Sequence, residues 1–340
     1  MELGERDLPP GSDRRAVLVT GGAGYIGSHA VLALRDQGRE VVVIDDLSTG
    51  DIAAIPGGVA FHRRDIADAD FVRWVIGRHG IGLVMHFAGS VSPPESLERP
   101  LDYLRNNAEA SQALAAASVE AGVRRFIFSS SAAVYGQADV SPLREDATPA
   151  PITPYGLSKL MTESMLAELS ASSPGFEAVS MRYFNVAGAD PAGRAGRRGC
   201  GGAGLIDLAI EAALGDRASL DIWGDDYDTR DGAGERDYIH VSDVADAHLA
   251  AMRYLEAGGR GVVLNCCCGR GYTVLEVLAA LETVIGRRIP RRAGPRRPGD
   301  VPIAVGDIAR LAATLGWRPR FDDLSVILRS ALAWRGWTGA

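Results

Sequence analysis

The chain has 340 residues, 46% hydrophobic and 23% charged, with a net charge of −7 and a pI of about 5.5. That is globular composition, long enough for one large core or two lobes. The acidic balance speaks against nucleic acid or an anionic membrane as a partner, and no apolar run is long enough for a transmembrane helix.

Residues 1–15 are charged, carry Pro and Gly and lack an apolar signal core, so they read as a flexible extension and a cytoplasmic location is expected. The four cysteines are Cys200, Cys266, Cys267 and Cys268. Three in a row cannot supply the C-x-x-C pairs of a zinc site, so no metal is expected; the triplet reads as buried thiols in a reducing setting.

The first element is an apolar run, Ala16–Thr20, read as a buried strand. The glycines Gly21, Gly24 and Gly27 follow, and a helical pattern runs on to about Gln37. Strand, glycine turn and helix in that order suit a dinucleotide diphosphate approached closely by backbone. A second strand, 40–44, leads into Asp45 and Asp46. Asp45 lies about 20 residues past the glycines, where a carboxylate accepts bonds from a ribose 2′-hydroxyl and repels a 2′-phosphate; NAD is favoured over NADP.

Further strands are predicted at 59–62, with Asp65 and Ile66 beyond it, at 83–87, ending near Ala88 and Gly89, at 125–129, running into Ser131, and at 179–183. A helix is predicted over 101–121 and another from Tyr155. The alternation predicts an α/β fold: a Rossmann-like, doubly wound parallel sheet over 16–185, with ligands at the carboxyl ends of its strands. Residues 188–204 are rich in Gly, Ala and Arg and read as a long loop, functional or mobile. Helices near 205–214, 241–255, 274–285 and 323–334 and strands near 220–222 and 262–265 make 186–340 a smaller substrate-binding lobe, with segments returning to the main sheet.

The chemistry-bearing stretch is Pro154-Tyr155-Gly156-Leu157-Ser158-Lys159. Tyr155 and Lys159 stand at i and i+4 and share a helix face. An ammonium beside a phenol favours phenolate, so the spacing can make a tyrosine a proton acceptor.

With these residues in view, the chain resembles the extended short-chain dehydrogenase/reductase family, and within it the enzymes that epimerise UDP-hexoses at C4. The likeness runs from about Val17 to Trp337 through seven ordered motifs, among them 20–27, 86–89, 128–136, 154–159, 182–185, 236–241 and 296–300. It implies an NAD site formed by Tyr25, Ile26, Asp45, Asp46, Leu47, Ser48, Thr49, Gly50, Asp65, Ile66, Phe87, Ala88, Gly89, Ser90, Val91, Asn106, Lys159 and Phe184. It implies Tyr155 as proton acceptor and Ser131 on the sugar hydroxyl. Asn185, Leu205, Trp223, Arg236, Arg297 and Asp300 would bind the UDP part, and Ala304 would line the wall near the sugar's C2 substituent. Arginines suit a diphosphate and a tryptophan face suits uracil.

Gly204 stands where the family usually carries an asparagine, so that contact must come from water or backbone, or the loop differs. Ala304 stands where restrictive relatives carry tyrosine, which implies that UDP-GlcNAc and UDP-GalNAc interconvert here beside UDP-glucose and UDP-galactose. The likeness also implies a homodimer formed through helices 101–121 and 155–169, the second carrying Leu160, Met161, Met165 and Leu169. The competing readings are a UDP-pentose or uronate 4-epimerase, a 4,6-dehydratase, and a non-catalytic NAD-binding regulator. Ala132 and Ala133 after Ser131 lack the acid pair a dehydratase needs, and a regulator would be expected to lose Tyr155 or Lys159, both present.

Overall fold

The computed structural model describes residues 16–138, 140–198 and 202–338. The proposed extension at 1–15 and Cys200 lie outside them.

The chain opens with β1 (Ala16–Thr20), α1 (Tyr25–Asp36), β2 (Val41–Asp45), β3 (Ala60–Arg63), α2 (Ala69–His79) and β4 (Ile81–His86). Then come α3 (Pro93–Glu98), α4 (Pro100–Tyr103), α5 (Ala110–Glu120), β5 (Arg125–Ser131), α6 (Pro154–Ser172) and β6 (Glu177–Tyr183). The second half holds β7 (Asn185–Ala187), α7 (Leu205–Leu214), β8 (Leu220–Trp223), β9 (Glu235–His240), α8 (Val241–Glu256) and β10 (Val262–Cys266). It closes with β11 (Gly271–Thr273), α9 (Val274–Ile285), β12 (Arg291–Gly294), β13 (Ile303–Ala304), α10 (Ala309–Leu315) and α11 (Leu324–Trp334).

Seven strands form one sheet in the order β10-β6-β5-β4-β1-β2-β3, and every pairing is parallel. Both faces are covered, which is why β1 reads as unbroken apolar sequence. Val17 and Val19 pack into a core with α1 and α8 residues, and Ala16 and Leu18 pack into the opposite core with α2 and α5. The strand order reverses between β1 and β4, and a crevice forms at such a point. A third core joins α7, α9 and α11 to β8 and β9. Among the described residues no helix is long and apolar enough to cross a membrane.

The helix predicted over 101–121 is interrupted. Residues Leu104–Glu109 form a wide, π-helical turn between α4 and α5. This turn inserts at the cavity, and such bulges recur at functional sites.

Candidate active site

One cavity of about 640 Å³ runs along the carboxyl ends of β1 to β6 and on beneath β8, β9 and β13. Every site residue named from the sequence lines it except Leu47. Leu47 adopts φ 61°, and its N–H is held by Asp45 Oδ1 at 2.9 Å, so it shapes the turn by backbone.

The cofactor end is built around close approaches. A Cβ on Gly21 would lie 2.5 Å from Ala88 N, and one on Gly27 would lie 2.1 Å from Gly21 O. Gly24 caps α1 without a side chain, and the first turn holds no acidic residue. The free amides there suit a diphosphate. Asp45 is 7% exposed; its Oδ2 accepts from Ala23 N at 2.9 Å. Burial pushes this carboxyl up, and the Leu47 and Ala23 amides pull it back. Each oxygen keeps a lone pair for a ribose hydroxyl. These features fit NAD.

On the other side of the switch point, Ser90 is held by two neighbouring asparagines. Asn106 Nδ2 donates to Ser90 Oγ at 2.9 Å, and Asn107 Oδ1 accepts from Ser90 N at 2.7 Å. Asn107 Nδ2 also reaches Ser158 Oγ at 3.2 Å, which ties α6 to this wall. The wide turn at 104–109 carries both residues. Sequence reading found Asn106 and missed Asn107.

The reacting groups converge because α6 starts hard against the end of β5. Thr153 caps it, accepting from Gly156 N at 3.1 Å, and Pro154 fills the first turn. A Cβ on Gly156 would sit 2.4 Å from Ala133 O, so only glycine allows the approach. Ser131 is the last residue of β5, and its Oγ accepts from Ala133 N at 3.2 Å beside Tyr155. Burial pushes the Tyr155 phenol up; the Ser131 bond pulls it down. Lys159 is 2% exposed, donates from Nζ to Ser129 O at 2.9 Å, and lies 5.8 Å from the Tyr155 ring centroid. Burial lowers its pKa from 10.5 to about 8, opposed by the Glu163 carboxylate.

At the substrate end, Ala304 on β13 pairs in register with Arg236 on β9. Arg236 Nη1 donates to the carbonyls of Glu235 at 2.9 Å and Pro302 at 3.3 Å. Arg297 and Asp300 form a two-bond pair at 3.1 and 3.2 Å. Trp223 ends β8 and is 41% exposed, with Asn185 and Leu205 on the same cavity wall. The Gly204 N–H is tied to Asp207 Oδ2 at 3.1 Å. Of the apolar residues on α6 expected to face outward, only Met161 is strongly exposed; Met165 and Leu169 pack into the sheet core and Leu160 beside Tyr135. Leu157 and Leu101 are the further exposed ones.

Arg197 and Tyr227 are among the wall residues that the sequence reading did not name. The Arg197 guanidinium lies 4.1 Å from the Tyr25 ring centroid, and Tyr25 Oη donates to Gly188 O at 2.6 Å. Tyr227 lines the cavity beneath the Arg296 guanidinium, 4.5 Å from its centroid. Neither sits in a periodic pattern, and only an aromatic near an arginine-rich loop hints at them.

A nucleotide cradle at the switch point and a Ser-Tyr-Lys group beside it define an enzyme that works with a nicotinamide dinucleotide. Residues 17–267 match the NAD dependent epimerase/dehydratase family, and the chain belongs to that family. More particularly, it is 51% identical over 318 residues to the UDP-glucose 4-epimerase of Azospirillum brasilense, covering 94% of this chain and 91% of that one. The UDP-glucose 4-epimerase of Brucella ovis, solved with NAD, superposes with a TM-score of 0.92 at 38% identity, covering 96% and 100% of the two chains. That of Stenotrophomonas maltophila, solved with NAD and formylated UDP-arabinopyranose, gives 0.91 at 40% identity, covering 95% and 98%.

Proposed function

We propose that the chain is an isomerase of the UDP-glucose 4-epimerase type, inverting C4 of UDP-hexoses with NAD. One observation carries this reading: Ser131, Tyr155 and Lys159 meet in a cavity that continues from the nucleotide cradle to Arg236, Arg297 and Trp223. A single site therefore holds both nucleotides with the sugar between them.

Tyr155 Oη takes the O4 proton as the C4–H bond breaks and a 4-keto sugar forms. NAD held by the Gly21–Gly27 turn and Asp45 would supply the hydride acceptor and donor for C4. Ser131 holds the sugar hydroxyl and the phenol together. Lys159 presents a cation beside the phenol, its Nζ 5.8 Å from the Tyr155 ring centroid. Arg236 and Arg297 anchor the diphosphate while the sugar contacts stay weak, so the keto sugar turns over in place. Tyr155 then gives its proton back on the other face, and no net redox change remains.

Three finer readings are ours as well. The small Ala304 wall admits an acetamido group, so the N-acetyl pair interconverts here too. The exposed Leu101, Leu157 and Met161 form part of a homodimer face. The enzyme is cytoplasmic. The decisive experiment mixes the purified protein with UDP-galactose and no added NAD. UDP-glucose should appear; its absence, with NAD confirmed bound, would overturn the reading.

A further inference from the structure

Behind the catalytic group lies a charge pair that the reaction above does not use. Glu163 follows Lys159 by four residues, as Lys159 follows Tyr155, so the three share a face of α6. The Glu163 and Arg182 side chains are each 4% exposed. Arg182 donates to Glu163 through Nη2 to Oε2 at 2.7 Å and Nε to Oε1 at 2.9 Å. Ser130 Oγ also donates to Oε1. A buried ion pair is a poor source of stability, since apolar replacements are often neutral or better. Its place here calls for another reason.

We propose that Glu163, clamped by Arg182 and Ser130, is a positioning residue: it keeps Lys159 charged and fixes the end of β5 that carries Ser131. The proposal rests on the epimerase reading. Lys159 is enclosed, and desolvation pulls it towards neutrality while the Glu163 carboxylate opposes this.

Among the described residues, the other groups around it supply no negative charge. From β4 comes His86, which burial and Lys159 together pull down to about 3, so it is neutral. β5 offers the Phe128 ring, the Ser129 carbonyl and the hydroxyls of Ser130 and Ser131. On β6, the Tyr183 phenol is pushed well up by burial and stays neutral, and Arg182 is the cation. The π-helical turn brings the Asn107 amide to Gly89, beside Lys159. Beyond Arg182 lies Tyr135, its ring centroid 4.7 Å from the guanidinium and its hydroxyl on Asn265 Oδ1 at 2.7 Å. Glu145 stands behind Asn265 and has its own partner, Arg310, at 3.6 Å. Arg182 and Ser130 together fix where the Glu163 carboxyl sits. Ser130 is the residue before Ser131, so the carboxylate one helical turn beyond Lys159 also holds the strand end.

The test compares wild type, Glu163→Gln and the double variant Glu163→Gln/Arg182→Met, all with NAD bound. The alkaline limb of kcat for UDP-galactose should move down by about one pH unit or more in Glu163→Gln, and by less in the double variant. The acid limb and NAD content should hold. A purely structural role would lower the plateau and leave the alkaline limb in place, and that result overturns the proposal. If Glu163→Gln does not fold, the double variant decides alone, and an unmoved limb there overturns it equally. A wild type without turnover would sink the epimerase reading instead. In that event the pH at which the melting temperature begins to rise reports Lys159, and it must fall in both variants.

Discussion

Lys159→Met separates what the lysine does for the reaction from what it costs the fold. The buried ammonium has its pKa lowered from 10.5 to about 8. At about 1.4 kcal/mol per pH unit, that is roughly 3 kcal/mol against the charged form at neutral pH. Because the folded pKa lies below the unfolded one, the cost is full below about pH 8, shrinks as pH rises and vanishes above 10.5. Methionine removes it but leaves the Ser129 carbonyl without its donor, a loss of about 1 kcal/mol. The nucleotide-free variant should therefore be about 2 kcal/mol more stable at pH 7, a rise of roughly 2–4 °C in Tm. Turnover should nonetheless fall by roughly 10²-fold or more. The assay is thermal melting of both proteins from pH 7 to 10.5, with the advantage of the variant closing as the wild type gains stability. A variant less stable than wild type at pH 7, or an advantage that does not change with pH, would refute the reasoning.

Other outcomes follow from the same geometry. Tyr155→Phe should lose roughly 10²–10⁴-fold in kcat while keeping its NAD, and Ser131→Ala should lose far less; a chromatographic assay of UDP-galactose turnover compares them. Asp45→Ala should release NAD on gel filtration, and heat-denatured wild type should yield about one NAD per chain and no NADP. Ala304→Tyr should abolish turnover of UDP-GalNAc and keep that of UDP-galactose; wild type inert towards UDP-GalNAc would end the permissive reading. Light scattering at micromolar concentration should give a mass near twice 35.9 kDa, and a monomer mass would remove the homodimer.

The sheet was legible because its strands are buried on both faces and read as apolar runs between glycine turns. Helix ends were legible where chemistry marks them: α7 and α9 stop at Gly215 and Gly286, both left-handed, and Thr273 with Glu276 boxes the start of α9. The helix α2 was not predicted, although Asp68 caps it and a left-handed Gly80 ends it. The interruption at 104–109 left no trace, since one extra residue per turn barely disturbs an apolar pattern. Strands β7, β9 and β11 to β13 are set by pairing across the second half rather than by their own periodicity. The site residues were legible wherever they end a strand. Arg197 and Asn107 were not, because each acts through a partner distant in sequence.

The return of β10 to the main sheet bears on how the protein is made. β10 covers the edge of β6, and α8 lies across α1, so Val31 and Leu34 are sealed by residues more than two hundred positions later. A nascent chain that has passed residue 185 has every glycine and carboxylate of the cradle but an open sheet edge and an uncovered helix. The nucleotide-binding half therefore matures only once residue 266 has left the ribosome. Until then the chain is exposed to edge-to-edge pairing and to chaperones, whatever its eventual stability.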